Sequence, residues 1–107
     1  MSFIYLAAPY GDDGIATREQ RYLAVQRVVA ELVSEGVIVY SPILHFHNLE
    51  VNNKIATDAK FWRRHNLAML RSASNLCVLR LPGWSTSKSV TSEIDFANAQ
   101  GIPIMWQ

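Results

Sequence analysis

Four short apolar runs divide the sequence, and stretches with helical periodicity separate them. The runs cover residues 3–8, 36–41, 76–81 and 102–106. None alternates strictly between apolar and polar residues, and the first three are almost continuously apolar, which is typical of strands covered on both faces. This alternation of strand and helix predicts an α/β fold, a three-layer, Rossmann- or flavodoxin-like parallel sheet of four to five strands with helices on both faces.

Three helices are predicted between these strands. The first begins at a capping box headed by Thr17. It ends at Gly36, because glycine readily adopts the left-handed backbone conformation that terminates many α-helices. The second covers about residues 57–72. The third begins near Ser89 and ends before Gly101. Each helix therefore connects two strands, as parallel pairing requires.

The length of 107 residues and the composition limit the class of protein. We expect a single domain spanning residues 1–107. The formal net charge of +1 gives no electrostatic reason to expect a nucleic acid or an anionic membrane as partner. No apolar run reaches the roughly 20 residues of a membrane span, no signal peptide precedes the first strand, and the single cysteine, Cys77, allows no internal disulfide. A cytoplasmic protein is predicted, and the small size favours at least a homodimer.

Aromatic, polar and glycine residues follow three of the predicted strands. The carboxyl ends of parallel strands meet at one edge of the sheet, and ligands bind beyond that edge in open α/β folds. We therefore expect a small-molecule site there. The candidates are Pro9, Tyr10 and Gly11 after the first strand, His45 and His47 in the stretch 42–55 predicted to be a polar loop or a loop with a short helix, and Trp84 after the third strand.

Glu93 is the one acid near the start of the last predicted helix, behind a series of hydroxyl residues. In the first turn, the helix dipole stabilises a carboxylate by about 0.3–1 kcal/mol, and a carboxylate nucleophile must be ionised. Acidic residues are common in the first turn of helices because the helix dipole favours them there. A purely structural role for Glu93 is therefore an equal alternative to a catalytic one. Ser87 and Ser89 either cap the helix or hold a phosphate or a sugar hydroxyl.

Several cofactor sites are not predicted. His45 and His47 have no third and fourth ligand for a metal, and the segment 11–14 has the wrong spacing for a dinucleotide fingerprint. We expect neither metal nor cofactor. The two histidines are predicted either to contact a base or phosphate or to be structural. Tyr5, within the first strand, is either a core residue or a residue that orients a carboxylate.

Three segments carry a resemblance to a known family. They are IYLAAPY near the start, VIVYSPILH after a helix that ends in EG, and LRLPGWSTSKSVTSEIDFA. Together they resemble the nucleoside 2-deoxyribosyltransferase-like superfamily, and within it a small bacterial and phage subfamily of unassigned function. The resemblance covers nearly the whole chain, and its most specific part is Ser87 followed six residues later by Glu93.

The resemblance implies cleavage of the N-glycosidic bond of a nucleoside or a nucleoside 5′-monophosphate. Glu93 would match the nucleophile that attacks the anomeric carbon, and Tyr5 the tyrosine that positions it. Ser87 would contact the 5′ end of the substrate, and residues 9–11 would line the base or phosphate region. Water as the acceptor gives a hydrolase, and a second base gives a transferase.

Two positions differ from the pattern of this superfamily. Asn66 stands where relatives often have an aspartate that meets the base, and an amide can bond a base edge but cannot act as a general acid. Ser89 stands where glycine is usual, which narrows the approach of a sugar or phosphate. Only His45 and His47 among the nearby candidates could supply a proton to the leaving group. The differences at Asn66 and Ser89 favour the alternative of a catalytically inactive nucleotide-binding module, a sensor or carrier. A structural or assembly subunit is the third hypothesis.

Overall fold

The computed structural model describes residues 2–11, 15–53 and 59–107. Helices and strands alternate along these ranges as the sequence predicts, with one additional helix after the second strand. In chain order the elements are β1 (Ile4–Ala7), α1 (Ile15–Ser34), β2 (Val39–Tyr40), α2 (Pro42–Asn53), α3 (Ala59–Arg71), β3 (Asn75–Val78), a 3₁₀ turn (Trp84–Thr86), α4 (Lys88–Gln100) and β4 (Ile104–Trp106).

The four strands form one parallel sheet in the order β2-β1-β3-β4. Tyr5 of β1 lies between Tyr40 of β2 and Leu76 of β3 in the register. β2 lies on one side of β1, and β3 followed by β4 lies on the other side. The direction in which the chain adds strands therefore reverses between β1 and β3. In doubly wound sheets such a reversal opens a crevice beyond the carboxyl ends of the strands.

Helices cover both faces of the sheet, which confirms the predicted three-layer, Rossmann-like α/β fold. On one face, Leu6 and Cys77 pack with Val25 of α1 and Phe46 of α2. On the other face, the alternate strand residues pack against α3 and α4. The residues of this second cluster are Tyr5, Ala7, Leu70, Leu76, Val78, Val90 and Ala97. Successive side chains of a strand point to opposite faces, so a continuously apolar strand supplies both cores.

Glycines end two helices as predicted. Gly36 after α1 has φ +85°, and Gly101 after α4 has φ +71°. Both values lie in the left-handed region that glycine adopts without steric cost. The predicted start of α1 is wrong, because the helix begins at Ile15 and Thr17 already lies inside its first turn.

The stretch after β2 is more regular than predicted. The expected loop is wrong for most of its length, since α2 extends over the 12 residues Pro42–Asn53. Proline fits the first position of a helix, where no backbone N–H is needed, and Ser41 Oγ accepts a hydrogen bond from the backbone N of Leu44 at 3.2 Å. Residues 54–55 of that stretch, residues 57–58 of the predicted second helix, and Asp12, Asp13 and Gly14 lie outside the described residues.

Arg21 of α1 connects the loops that follow β1 and β3. Its Nη1 donates to the carbonyl of Tyr10 at 3.2 Å, and its Nη2 donates to the carbonyl of Pro82 at 3.1 Å. Gly83 has φ +93°, and a Cβ there would lie 2.7 Å from Nη2 of Arg21. Glycine at this position therefore permits both the turn and the close approach of the guanidinium.

Within the described residues, every helix is too short or too polar to cross a membrane.

Candidate active site

Glu93 projects from α4 toward the sheet and is 5% exposed. The prediction that it lies in the first helical turn is wrong, because α4 begins at Lys88 and its first turn contains no acid. Ser87 is the N-cap, and its side chain accepts a hydrogen bond from the backbone N of Val90 at 3.4 Å. Glu93 therefore lies in the second turn, beyond the free N–H groups whose charge would stabilise a carboxylate.

Tyr5, the second residue of β1, meets Glu93 on the face of the sheet that α3 and α4 cover. The Tyr5 hydroxyl donates a hydrogen bond to Oε2 of Glu93, and both side chains are buried on the face covered by α3 and α4. Within the described parts of the chain, no donor reaches the second oxygen, Oε1. Glu93 also lines a cavity of about 290 Å³ between α3 and α4. One carboxyl oxygen is thus fixed by the protein, while the other is available to a ligand.

Burial determines the protonation of this pair. It raises the pKa of Glu93 from 4.5 to about 7, although the hydrogen bond from Tyr5 lowers it in part by stabilising the charged form. Burial, and then the adjacent carboxylate, raise the pKa of Tyr5 well above 10, so its hydroxyl remains a donor. Near pH 7, Glu93 is therefore divided between an ionised form that can attack an electrophile and a neutral form that cannot.

Tyr40 is a neighbour of this pair that the sequence did not indicate. It is opposite Tyr5 in the β1–β2 register, with ring centroids 5.8 Å apart. Its buried hydroxyl has no hydrogen-bond partner among the described residues. Burial, with a smaller effect of Glu93, raises the pKa of Tyr40 to about 12. An unpaired buried hydroxyl costs about 1–3 kcal/mol of folding stability. Tyr40 therefore places a neutral hydroxyl near the carboxyl group, and this hydroxyl can donate a hydrogen bond to a ligand.

The cavity beside Glu93 has a mostly apolar surface, to which three basic residues contribute. Its described lining comes from one face of α3 and the first two turns of α4: Lys60, Arg63, Asn66, Leu67, Lys88, Ser89, Ser92 and Glu93. The lining therefore includes three basic residues and one carboxyl group. The α3 residues recur three and four positions apart, which is the spacing of one helix face. That spacing is a signal the sequence contained, but only the packing of α3 on α4 directs this face toward Glu93.

A second cavity, of about 570 Å³, adjoins the first through shared residues. Arg63 Nε donates to Ser92 Oγ at 3.2 Å, which holds the guanidinium between the two spaces. We call the cavity that contains Glu93 the inner cavity and the second the outer cavity. The outer cavity is lined by Arg63, Ser85, Thr86, Lys88, Thr91, Ser92, Asp95 and Phe96.

Four of the sequence candidates come together here. Tyr5 bonds Glu93, and Asn66 and Ser89 line the inner cavity with it. Ser87 is placed differently from the expected substrate contact. It is 2% exposed, caps α4, and shares a hydrogen bond with Ser89 Oγ at 3.2 Å, so it supports Ser89 from behind the cavity wall.

Tyr10 and His47 lie on the opposite face of the sheet, in a network with α1. Tyr10 Oη and His47 Nδ1 share a hydrogen bond of 2.6 Å, and His47 Nε2 is 3.0 Å from Oε2 of Glu19. The ring of Tyr22 stacks on His47 at 3.9 Å. Both nitrogens of His47 are engaged, which fits the structural alternative rather than a proton donor in the Glu93 cavity.

The remaining candidates are also outside the lining of the inner cavity. His45 is exposed and stacks on His65, with centroids 5.0 Å apart. Trp84 packs edge-on against Trp106 at 5.7 Å. Pro9 is buried, and Gly11 is exposed at the end of the first described range. Within the described residues, no group of three or more His, Cys, Asp or Glu side chains could hold a metal ion.

A family model described as "Domain of unknown function (DUF1937)" matches residues 2–107. The chain belongs to this family. The DUF1937 match extends over every element of the fold, and so it includes the helices that form the cavity. No curated protein matches the sequence. The family name assigns no activity, so the chemistry must be argued from the site.

Proposed function

We propose that this DUF1937 protein cleaves the N-glycosidic bond of a nucleotide, with Glu93 as the nucleophile. The observation that carries the proposal is the buried carboxyl group that lines a cavity, with Oε2 bonded by Tyr5 and Oε1 unbonded by the described residues. This arrangement resembles the nucleophile and tyrosine expected of a nucleoside 2-deoxyribosyltransferase-like enzyme.

In the proposed reaction, the ionised Glu93 attacks C1′ of the sugar and displaces the base. The transition state is oxocarbenium-like, and a glycosyl ester of Glu93 forms. Water or a second base then attacks C1′ and releases the carboxylate, which gives hydrolysis or transfer. Because Glu93 is almost free of water, its charge is neutralised most effectively by the developing positive charge of the sugar.

The charges of the inner cavity favour a phosphorylated substrate. Lys60, Arg63 and Lys88 outnumber the single carboxyl group of Glu93, and cationic side chains form strong, charge-assisted hydrogen bonds with phosphate oxygens. Ser89 adds a hydroxyl at the start of α4. A nucleoside 5′-monophosphate therefore fits the cavity better than an uncharged nucleoside. The amide of Asn66 is available to bond the edge of the base.

One observation favours the alternative of a nucleotide-binding module without catalysis. Asn66 cannot protonate a departing base, and neither His45 nor His47 is among the described residues that line the inner cavity. A site without an acid would bind a nucleotide with an ordinary purine or pyrimidine base and release little of that base.

The test is incubation of the purified protein with a panel of nucleosides and nucleoside 5′-monophosphates, followed by chromatographic detection of free base. Release that is lost in Glu93→Gln and retained in Glu31→Gln supports the enzyme, since Glu31 is an exposed acid on α1. Saturable nucleotide binding without release from any substrate supports the binding module. Release that persists in Glu93→Gln contradicts the assigned nucleophile.

A further inference from the structure

The inner cavity opens beside a larger outer cavity, and the two share Arg63, Lys88 and Ser92. The outer cavity is about 570 Å³, against about 290 Å³ for the inner one. A mononucleotide with its C1′ atom at Glu93 would place its phosphate against the shared cations and leave the outer cavity unused. The shape of the site therefore suits a substrate that continues beyond its first phosphate.

The walls of the outer cavity match a second nucleoside unit. Phe96 provides an aromatic surface on which a base can stack, and Asp95 provides a carboxylate that can accept hydrogen bonds from ribose hydroxyls. Arg63 and Lys88 stand at the junction, where a bridging pyrophosphate would carry its negative charges. Thr86 and Thr91 add hydroxyls on the same walls.

The inner cavity also indicates the kind of leaving group. Its described lining contains Glu93, three cations, an amide, two serines and a leucine. Glu93 is needed as the nucleophile, and Lys and Arg are weak acids that hold their protons at neutral pH. A neutral purine or pyrimidine leaves as an anion unless it is protonated. A pyridinium base already carries a positive charge on the glycosidic nitrogen and leaves as a neutral molecule.

We infer that the substrate is a pyridinium dinucleotide, an N-ribosyl pyridinium joined through a pyrophosphate to a second nucleoside. The inference rests on the proposed function, because it uses Glu93 as the nucleophile, and it specifies the substrate of that site. The pyridinium riboside occupies the inner cavity, Arg63 and Lys88 bind the pyrophosphate, and the second nucleoside contacts Phe96 and Asp95 in the outer cavity.

The reaction balances without a further reagent. Oε1 of Glu93 forms a bond to C1′ while the bond between C1′ and the pyridinium nitrogen breaks. The electron pair of that bond moves to the nitrogen and cancels its positive charge. Water then attacks C1′, the ester bond to Glu93 breaks with its electrons returning to the carboxylate, and the water loses a proton to solvent. The products are the neutral pyridine base and a nucleoside diphosphate ribose with a free anomeric hydroxyl.

The experiment compares three substrates with the whole chain: nicotinamide adenine dinucleotide, nicotinamide mononucleotide and a panel of purine and pyrimidine nucleoside 5′-monophosphates. Released base is measured by chromatography, and kcat/KM is obtained for each. We expect the dinucleotide to exceed the mononucleotide by at least tenfold. Asp95→Ala and Thr86→Ala should lower kcat/KM for the dinucleotide by at least fivefold and leave the mononucleotide unchanged. Asp95 and Thr86 are exposed, so both variants should fold, and Gln100→Ala, at an exposed position of α4 outside both cavities, is the matched control.

The outcomes separate the inference from the proposed function. Release from purine or pyrimidine monophosphates without release from either pyridinium substrate overturns the inference and leaves Glu93 as a nucleophile. Equal kcat/KM for the two pyridinium substrates, or no effect of Asp95→Ala, overturns the role of the outer cavity. No release from any substrate overturns the proposed function and the inference together. A dinucleotide preference that Asp95→Ala abolishes, with all release lost in Glu93→Gln, supports both.

Discussion

Replacement of Glu93 by glutamine should raise the free energy of unfolding at neutral and alkaline pH and leave it unchanged at pH 4. Burial raises the pKa of Glu93 from 4.5 to about 7. The folded protein therefore holds a proton that the unfolded chain releases between these two pH values. By linkage, the free energy of unfolding falls as the pH rises from about 4.5 to about 7 and is constant above that range.

The size of this effect follows from the pKa values. One pKa unit corresponds to about 1.4 kcal/mol, so the rise to about 7 corresponds to a loss of about 3 kcal/mol in the wild type by pH 8. Glutamine is neutral at every pH and can still accept the hydrogen bond of Tyr5. The stability of Glu93→Gln minus that of the wild type should thus grow from near zero at pH 4 to about 3 kcal/mol at pH 8.

Urea unfolding at several pH values, followed by tryptophan fluorescence, measures this difference. Other titrating groups, including Glu50, whose pKa burial also raises, are the same in both proteins and cancel in the comparison. The control is Glu31→Gln, an exposed position whose profile should follow the wild type. Parallel pH profiles for wild type and Glu93→Gln would show that the carboxyl group is not desolvated, and would remove the basis for its raised pKa.

Three further perturbations test the support of the site. Tyr5→Phe removes the donor that lowers the pKa of Glu93, so turnover should fall more at pH 7 than at pH 8.5; a loss that is equal at all pH values would contradict this. Gly83→Ala should reduce the free energy of unfolding by about 1–2 kcal/mol, because the residue has φ +93° and its Cβ would lie 2.7 Å from Nη2 of Arg21; an unchanged urea midpoint would be the contrary result. Ser87→Ala should cost about 1 kcal/mol through the lost N-cap, with Ser87→Thr, which keeps the hydroxyl and adds no charge to this buried position, retaining more of the stability; equal losses in the two variants would contradict the capping role.

The strands and helix ends were predictable because local patterns specify them. Continuous apolar runs correctly indicated strands covered on both faces, and Gly36 and Gly101 correctly indicated helix ends. The capping box at Thr17 was misleading, because a helix can begin before a favourable cap when upstream residues also accept helical geometry. The stretch after β2 was underestimated because its helix depends on the burial of Ile43 and Phe46 rather than on intrinsic propensity. The homodimer stays a prediction.

The candidate site was predictable only in part. The sequence indicated Glu93 and Tyr5, and the strand and helix that carry them bring the two side chains together. It did not indicate the basic lining, because Lys60, Arg63 and Lys88 are ordinary surface residues until α3 packs against α4. The sequence also did not show that His47 lies away from the cavity, because only the folded sheet places this histidine on the opposite face.

By itself, the sequence determined which residues form strands, where two helices end and which acid follows the third strand, since these depend on hydrophobic spacing and on the backbone preferences of glycine and proline. The tertiary structure alone decided the chemistry of that acid. A dipole at the helix start would have favoured its charge, whereas its position in the second turn, packed against the sheet, removes it from water and raises its pKa to about 7. Desolvation is a property of everything packed around a group, and no local stretch of the chain encodes it.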